Sequence, residues 1–246
     1  MDARDCLERM TPKLPKAIGL RFKSVFNHIE RANAIFDVDR EMASFRAITA
    51  EEEAATALMM ALQNKRYPGA NKFNARNHHH KAAVLACVMA IASKLQPILQ
   101  TYQATFRFDE ARIDVKIPLS NFGVKGGEDL GLQFVEPLGV LHTREGISGD
   151  AVFHDALEEL ANGHGFDDAR TLIREQANAR NTLLYASDTK QPESQATLKT
   201  LGDRKNRALI LLALAVMVLQ AKGHQAMVTQ AIPAFLKVIS KAEVDA

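Results

Sequence analysis

Arg180, Asn181 and Tyr185 lie within one short segment, Asn178-Ala-Arg-Asn-Thr-Leu-Leu-Tyr, and together they could hold a phosphate and position a hydroxyl. On a continuous helix Asn178, Asn181 and Tyr185 would share a face at i, i+3, i+7 spacing. Arg180 itself falls on an apolar stripe with Phe166 and Ile173, flanked by Ala169, Ala177 and Leu184. A second charge shows the same anomaly. Glu52 follows Val38 and Phe45 and precedes Met59 at seven-residue steps, so it too points where apolar residues point. A buried charge without a partner costs several kcal/mol. Two readings therefore stand: a structural Glu–Arg pair, with an Arg head that snorkels out, or a polar cleft between helices lined by Arg180 and Asn181.

A second chemical signal is charge asymmetry. Between Ala54 and Phe108 there is no Asp or Glu, while Lys65, Arg66, Lys72, Arg76, Lys81, Lys94 and Arg107 supply seven cations in a chain whose net charge is only +2. Such a field attracts anions, nucleic acid foremost. Lys65, Arg66, Lys72, Arg76, His78 and Lys81 are the candidate backbone-contacting residues. Arg9, Lys13, Lys16, Arg21 and Lys23 form a second basic patch. His78, His79 and His80 are consecutive, so about 100° separates neighbours on a helix and all three cannot ligate one metal from regular helix. A solvated basic turn at a helix start is the simpler expectation, and the positive end of the helix dipole favours an anion there. The clusters Asp109/Glu110/Asp114 and Asp150/Asp155/Glu158/Glu159 read as solvated turns or helix faces. Gly126-Gly127 lacks the strand and the Lys-Ser/Thr of a phosphate loop, and neither a G-x-S-x-G elbow nor a Cys-x-x-Cys pair occurs.

These residues need elements to position them. At 246 residues and 47 % hydrophobic content the chain supports a sizeable core. Helical spacing predicts a long helix over 37–66, or two helices if the Thr49-Ala-Glu-Glu capping box marks a break. Tyr67-Pro-Gly-Ala-Asn reads as a loop, and 77–100 as a helix apolar almost all round, hence central. The period then changes to two: Phe106/Phe108 and Ile113/Val115/Ile117 alternate with polar residues, with a turn at Asp109-Glu110. Short apolar pieces follow at Leu132–Phe134 and Val140-Leu141. Further helices are expected over 151–161, 166–186, 197–222 and 225–241, with Pro233 kinking the last or displacing its start. Pro12, Pro15 and Gly19 are expected to break up residues 1–35. The result is a mainly α fold: a bundle of five or more helices, as one domain over 1–246, with an N-terminal basic segment 1–36 and a small β insertion at 103–149.

Cys6 and Cys87 make no disulfide framework, and Cys87 reads as a buried apolar residue. The charged N-terminus lacks a signal-peptide h-region, and the twelve-residue run Ala208–Leu219 is shorter than the ~20 of a spanning helix. A soluble cytoplasmic protein that does not engage a membrane is the expectation.

With helices at these positions and Arg180-Asn181 near a helix end, the chain resembles the HEPN superfamily, most closely abortive-infection proteins of the AbiV kind. The resemblance covers the helical parts, about two-thirds of the chain. Ribonucleases of that group pair an early acidic residue with an R-x(4–6)-H motif. Glu52 or Glu53 matches the acid and Arg180 the Arg, but positions 185 to 187 are Tyr185, Ala186 and Ser187, so the motif His is absent. Tyr185 offers a hydrogen bond there, although its usual pKa near 10 makes it a poor acid at neutral pH. The resemblance implies a bacterial or phage-defence protein, a toxin-type endoribonuclease acting on RNA without metal or cofactor. Arg180 would hold the scissile phosphate, Asn181 and Tyr185 the reacting hydroxyl, and Glu52 would orient Arg180. The competing class is a non-enzymatic regulator that binds a protein partner, another copy of itself or nucleic acid through its helices and basic loop. The missing His favours that class.

Overall fold

Side-chain capping marks four helix starts among the described residues. The computed structural model describes residues 2–109, 112–125, 130–140, 149–185 and 191–243. Helix α1 (Ala3–Met10) runs through a 3-10 turn at Thr11–Lys13 into α2 (Lys16–Ile35). In α3 (Arg40–Asn64) the Asp39 carboxylate accepts the Met42 N–H at 2.8 Å, and in α4 (His78–Thr101) the Asn77 side chain accepts the His79 N–H at 2.8 Å. These side-chain acceptors satisfy N–H groups that the first helical turn leaves without partners. Three short strands follow, β1 (Thr105–Phe108), β2 (Ile113–Pro118) and β3 (Gly131–Phe134). Then come α5 (Gly149–Gly163), α6 (Ala169–Asn178), the single turn α7 (Asn181–Leu184), α8 (Leu198–Gln220) and α9 (Ala226–Glu243). Asp168 caps α6 by accepting the Thr171 N–H at 2.7 Å, and Thr197 with Thr200 forms a reciprocal capping box on α8.

The fold is mainly α with a small antiparallel β insertion, as the sequence predicts. The sheet order is β1-β2-β3, with Phe106 opposite Val115, Phe108 opposite Ile113 and Val115 opposite Phe134. Ile113 and Val115 are buried, but Phe106 turns outward. Gln220 of α8 anchors the sheet: its amide accepts the Ile113 N–H at 2.9 Å and donates to the Ile113 carbonyl at 2.5 Å. Asp114 is buried rather than solvated as expected: its Oδ2 meets Gln133 (2.5 Å) and Arg112 (3.3 Å), its Oδ1 has no hydrogen-bond partner, and Glu158 accepts the Ala169 N–H. Glu110, Gly126, Gly127 and Leu141 lie outside the described residues, as does the side chain of Asp150.

One hydrophobic cluster gathers side chains from Leu7 to Ile239, so the N-terminal helices belong to the same core as α9. Buried Gln225 ties the α8–α9 corner to that core. It accepts the Leu138 N–H at 3.0 Å, donates to the Met217 carbonyl at 3.0 Å, and its own N–H reaches the Tyr67 hydroxyl at 2.9 Å. Cys6 and Cys87 are free and buried, and burial pushes the Cys87 thiol well above its usual range. α4 is also long and apolar enough to cross a bilayer, in contrast to the reading of Ala208–Leu219 as the longest candidate. In this fold its first half, from His80 to Ala90, contributes eight side chains to the interior.

Several local expectations are corrected. Gly19 does not break a helix but sits inside α2, where a Cβ would come within 3.1 Å of the Thr11 carbonyl. The chain does not break at Thr49: its hydroxyl donates back to the Phe45 carbonyl at 2.8 Å, so the capping-box sequence lies within continuous α3. Val38 lies before α3 and is 89 % exposed. The expected helix 166–186 is two pieces, α6 and α7, that meet at Ala179-Arg180. Pro233 lies inside α9 rather than at its start. α3, α4 and α5 all end with the N–H of the third residue past the helix reaching five residues back, as in Tyr67 to Leu62 (3.1 Å), Ala104 to Leu99 (2.8 Å) and Phe166 to Ala161 (3.0 Å). The left-handed residue this closure needs is Gly165 after α5, but Arg66 (φ 55°) after α3 and Gln103 (φ 48°) after α4.

Candidate functional site

Continuity of α3 through Thr49 carries Glu51 and Glu52 to the middle of the bundle. Glu52 is the hub of a polar cluster. Its Oε1 lies 2.8 Å from His78 Nδ1, and its Oε2 lies 3.7 Å from Lys81 Nζ and 3.5 Å from Arg180 Nη1. The Asn77 cap fixes His78 as the first residue of α4 and sets Lys81 one turn further on. Arg180 comes from the joint between α6 and α7. Its Nη1 also stands 3.4 Å from His78 Nε2, and its guanidinium lies 5.5 Å over the Phe45 ring. The imidazole is thus held between a carboxylate and a guanidinium. In the neutral tautomer that donates Nδ1–H to Glu52, the Nε2 lone pair faces Arg180. Side-chain exposure of 13 % for Glu52, 29 % for Arg180 and 39 % for His78 makes this a half-open cleft, not a sealed core pair.

The structure brings together only some of the residues singled out from sequence. Glu52 and Arg180 meet. Asn181 is exposed, and Tyr185 is 69 % exposed on extended backbone, because α6 stops at Asn178 and the shared helical face is never built. Ala186 and Ser187 lie outside the described residues. Glu53 turns away to Arg21, at 2.8 Å. The basic set divides as well. Lys81 and His78 point inward at Glu52, while Lys65 donates to the Ala221 carbonyl at 2.5 Å and ties α3 to the end of α8. Arg66, Lys72 and Arg76 remain on the exposed surface. Of the His triplet, His80 is buried and accepts the Asn74 N–H at Nδ1 (3.0 Å), and His79 Nδ1 is buried without a hydrogen-bond partner. Among the described residues no group of three or more His, Cys, Asp or Glu side chains assembles a metal site.

Sequence reasoning missed the neighbouring cluster. Glu51, 3 % exposed, receives Arg204 Nη1 at 2.5 Å and Arg207 Nε at 2.7 Å. The signal was present: Glu51 precedes buried Leu58 by seven residues, and Arg204 precedes buried Leu211 by seven. His78 was noticed only as a basic residue, because its partners are 26 and 102 positions away.

No family model, curated protein or solved structure matches the chain. Behind the two carboxylates a cavity of about 1050 Å³ opens between α3, α4, α8 and α9. Glu51, Glu52, His78, Lys81, Arg204 and Arg207 give it a charged side, the rest of the lining is mostly apolar, and Gln96, Gln100, Gln103, His164 and Gln176 add neutral polar groups.

Proposed function

We propose that the chain is a HEPN-like, metal-independent endoribonuclease, of a toxin type suited to cytoplasmic defence against phage. The observation that carries this reading is the alignment Glu52–His78–Arg180. The His that the Arg180 segment lacks has a spatial counterpart in His78, supplied by the start of α4. His78 Nε2 takes the proton from a ribose 2′-hydroxyl while Glu52 holds the Nδ1–H and fixes the tautomer. O2′ attacks the adjacent phosphorus, the P–O5′ bond breaks, and O5′ takes a proton from solvent. Arg180 turns its fork from His78 to the phosphate, where negative charge builds on the equatorial oxygens. The products are a 2′,3′-cyclic phosphate and a 5′-hydroxyl. Arg66, Lys72 and Arg76 give exposed backbone contacts.

The test is turnover of labelled RNA by the full chain, with product ends identified. His78→Ala and Arg180→Lys are each expected to lose about 10²-fold or more while staying folded. Full turnover in a well-folded Arg180→Lys protein would remove the catalytic assignment.

A specific observation favours a second reading, a non-enzymatic interaction protein. Phe106, Leu132 and Val135 are each about half exposed at the sheet, and Phe122 is stacked on Tyr102 nearby. Exposed apolar groupings of this kind mark partner surfaces. Absence of any RNA cleavage by the wild-type chain, with retained binding of a protein partner, would select it.

A further inference from the structure

Protein interiors are close-packed and tolerate few voids larger than a water molecule. A cavity of about 1050 Å³ lies just above the usual range for small-molecule sites, about 300–1,000 Å³. Apolar side chains at helical spacing line it from three helices: Leu85 and Met89 on α4, Leu214 and the more exposed Ile210 on α8, and Val228 on α9. These side chains offer no hydrogen bonds and suit a chain of methylenes, while Ser93, Gln96 and Gln100 stand further along α4.

The polar side has a different chemistry. Lys81, Arg204 and Arg207 are three fixed cations against the two carboxylates Glu51 and Glu52, and Arg180 adds a fourth through its pairing with Glu52. The excess is positive even with His78 neutral. Arg204 gives Nη1 and Arg207 gives Nε to Glu51, which leaves further N–H groups on each guanidinium for a second anion. Both arginine side chains are about 30 % exposed, so an acidic head could reach them from solvent.

We infer that this cavity binds a long-chain amphipathic acid, its alkyl chain between α4 and α8 and its carboxylate at the Arg204–Arg207 rim. The site is separate from RNA chemistry in what it recognises, and its test needs no RNA, so either reading can fail alone.

The experiment uses the full chain and cis-parinaric acid fluorescence, with displacement by octanoate, dodecanoate, hexadecanoate and hexadecanol. Saturable binding is expected, with affinity rising about four-fold per added methylene until the cavity is filled. Hexadecanol should compete at least ten-fold more weakly than hexadecanoate. Leu214→Trp and, independently, Leu85→Trp fill the cavity from opposite walls and should each cut cis-parinarate affinity ten-fold or more, with helicity by circular dichroism confirming the fold. No saturable binding by the wild-type chain overturns the proposal. Equal competition by alcohol and acid overturns the carboxylate assignment. Unchanged affinity in whichever tryptophan variant is folded overturns the placement.

Discussion

His78 Nδ1 lies 2.8 Å from Glu52 Oε1 across the gap between α4 and α3, and this contact organises the polar cleft. Glu52 holds three partners, the cations Lys81 and Arg180 and the His78 imidazole, so its loss acts on all three together. Glu52→Gln keeps the shape but leaves Lys81, 11 % exposed, and Arg180 without their counter-ion. A cost of about 1–3 kcal/mol is expected, or a melting temperature lower by about 2–10 °C. Arg180→Lys should move it by less than half as much. Equal melting temperatures for wild type and Glu52→Gln would show that the cluster contributes nothing to the fold.

Glu51 offers a sharper stability test. Breaking a fully buried pair costs about 3–5 kcal/mol, but here both arginines are partly solvated, so Glu51→Gln should cost about 2–3 kcal/mol. The matched control is Glu30→Gln, on a pair with Arg4 whose carboxylate side chain is 61 % exposed; it should cost under about 1 kcal/mol. Urea unfolding of the two variants gives the comparison directly.

Arg66 separates stability from binding. A non-glycine residue in the left-handed conformation costs roughly 1–2 kcal/mol. Arg66→Gly should therefore stabilise the chain by about 1 kcal/mol. If the exposed basic surface holds nucleic acid, the same substitution should weaken binding and lower the salt slope by about one. A variant that is more stable and binds with an unchanged salt slope would take Arg66 out of the interface.

The cap on α6 gives a pH dependence with a fixed sign. The Thr171 N–H holds the Asp168 carboxyl below its usual pKa. A depressed folded-state value means that the charged cap contributes fully above the unfolded value of about 3.9 and is lost as pH falls through the folded one. Asp168→Ala should cost about 1 kcal/mol at pH 7, and the gap to wild type should narrow below about pH 4. Asp168→Asn, which keeps the acceptor, should lie close to wild type at neutral pH. A gap that widens on acidification would contradict this assignment.

The elements were legible wherever the information is local. The period-two alternation around Phe108 and Ile113 predicts the hairpin, and the continuous apolar run after Asn77 predicts α4, because both follow from neighbours within a few residues. The inward placement of Glu52 and Arg180 follows from a seven-residue stripe, although Val38, used to define that stripe, turned out to lie off the helix. What was not legible depends on long-range packing. Nothing near His78 in sequence announces Glu52 or Arg180. The stop of α6 at Asn178, which sends Tyr185 into solvent, carries no Gly or Pro signal. The Thr49 capping sequence was overridden by a back-bond within α3.

α4 has two unlike halves, and this sets how the molecule should breathe. From His80 to Ala90 eight side chains are buried, whereas beyond Ile91 they are half covered or exposed, and Pro97 leaves one rung of the helical ladder without a donor. Amide hydrogens before Ile91 should exchange only through global unfolding, and those around Pro97 through small local openings that are far more frequent. The two rates belong to one uninterrupted helix, so the boundary between them marks where the wall of the cavity gains the freedom to part.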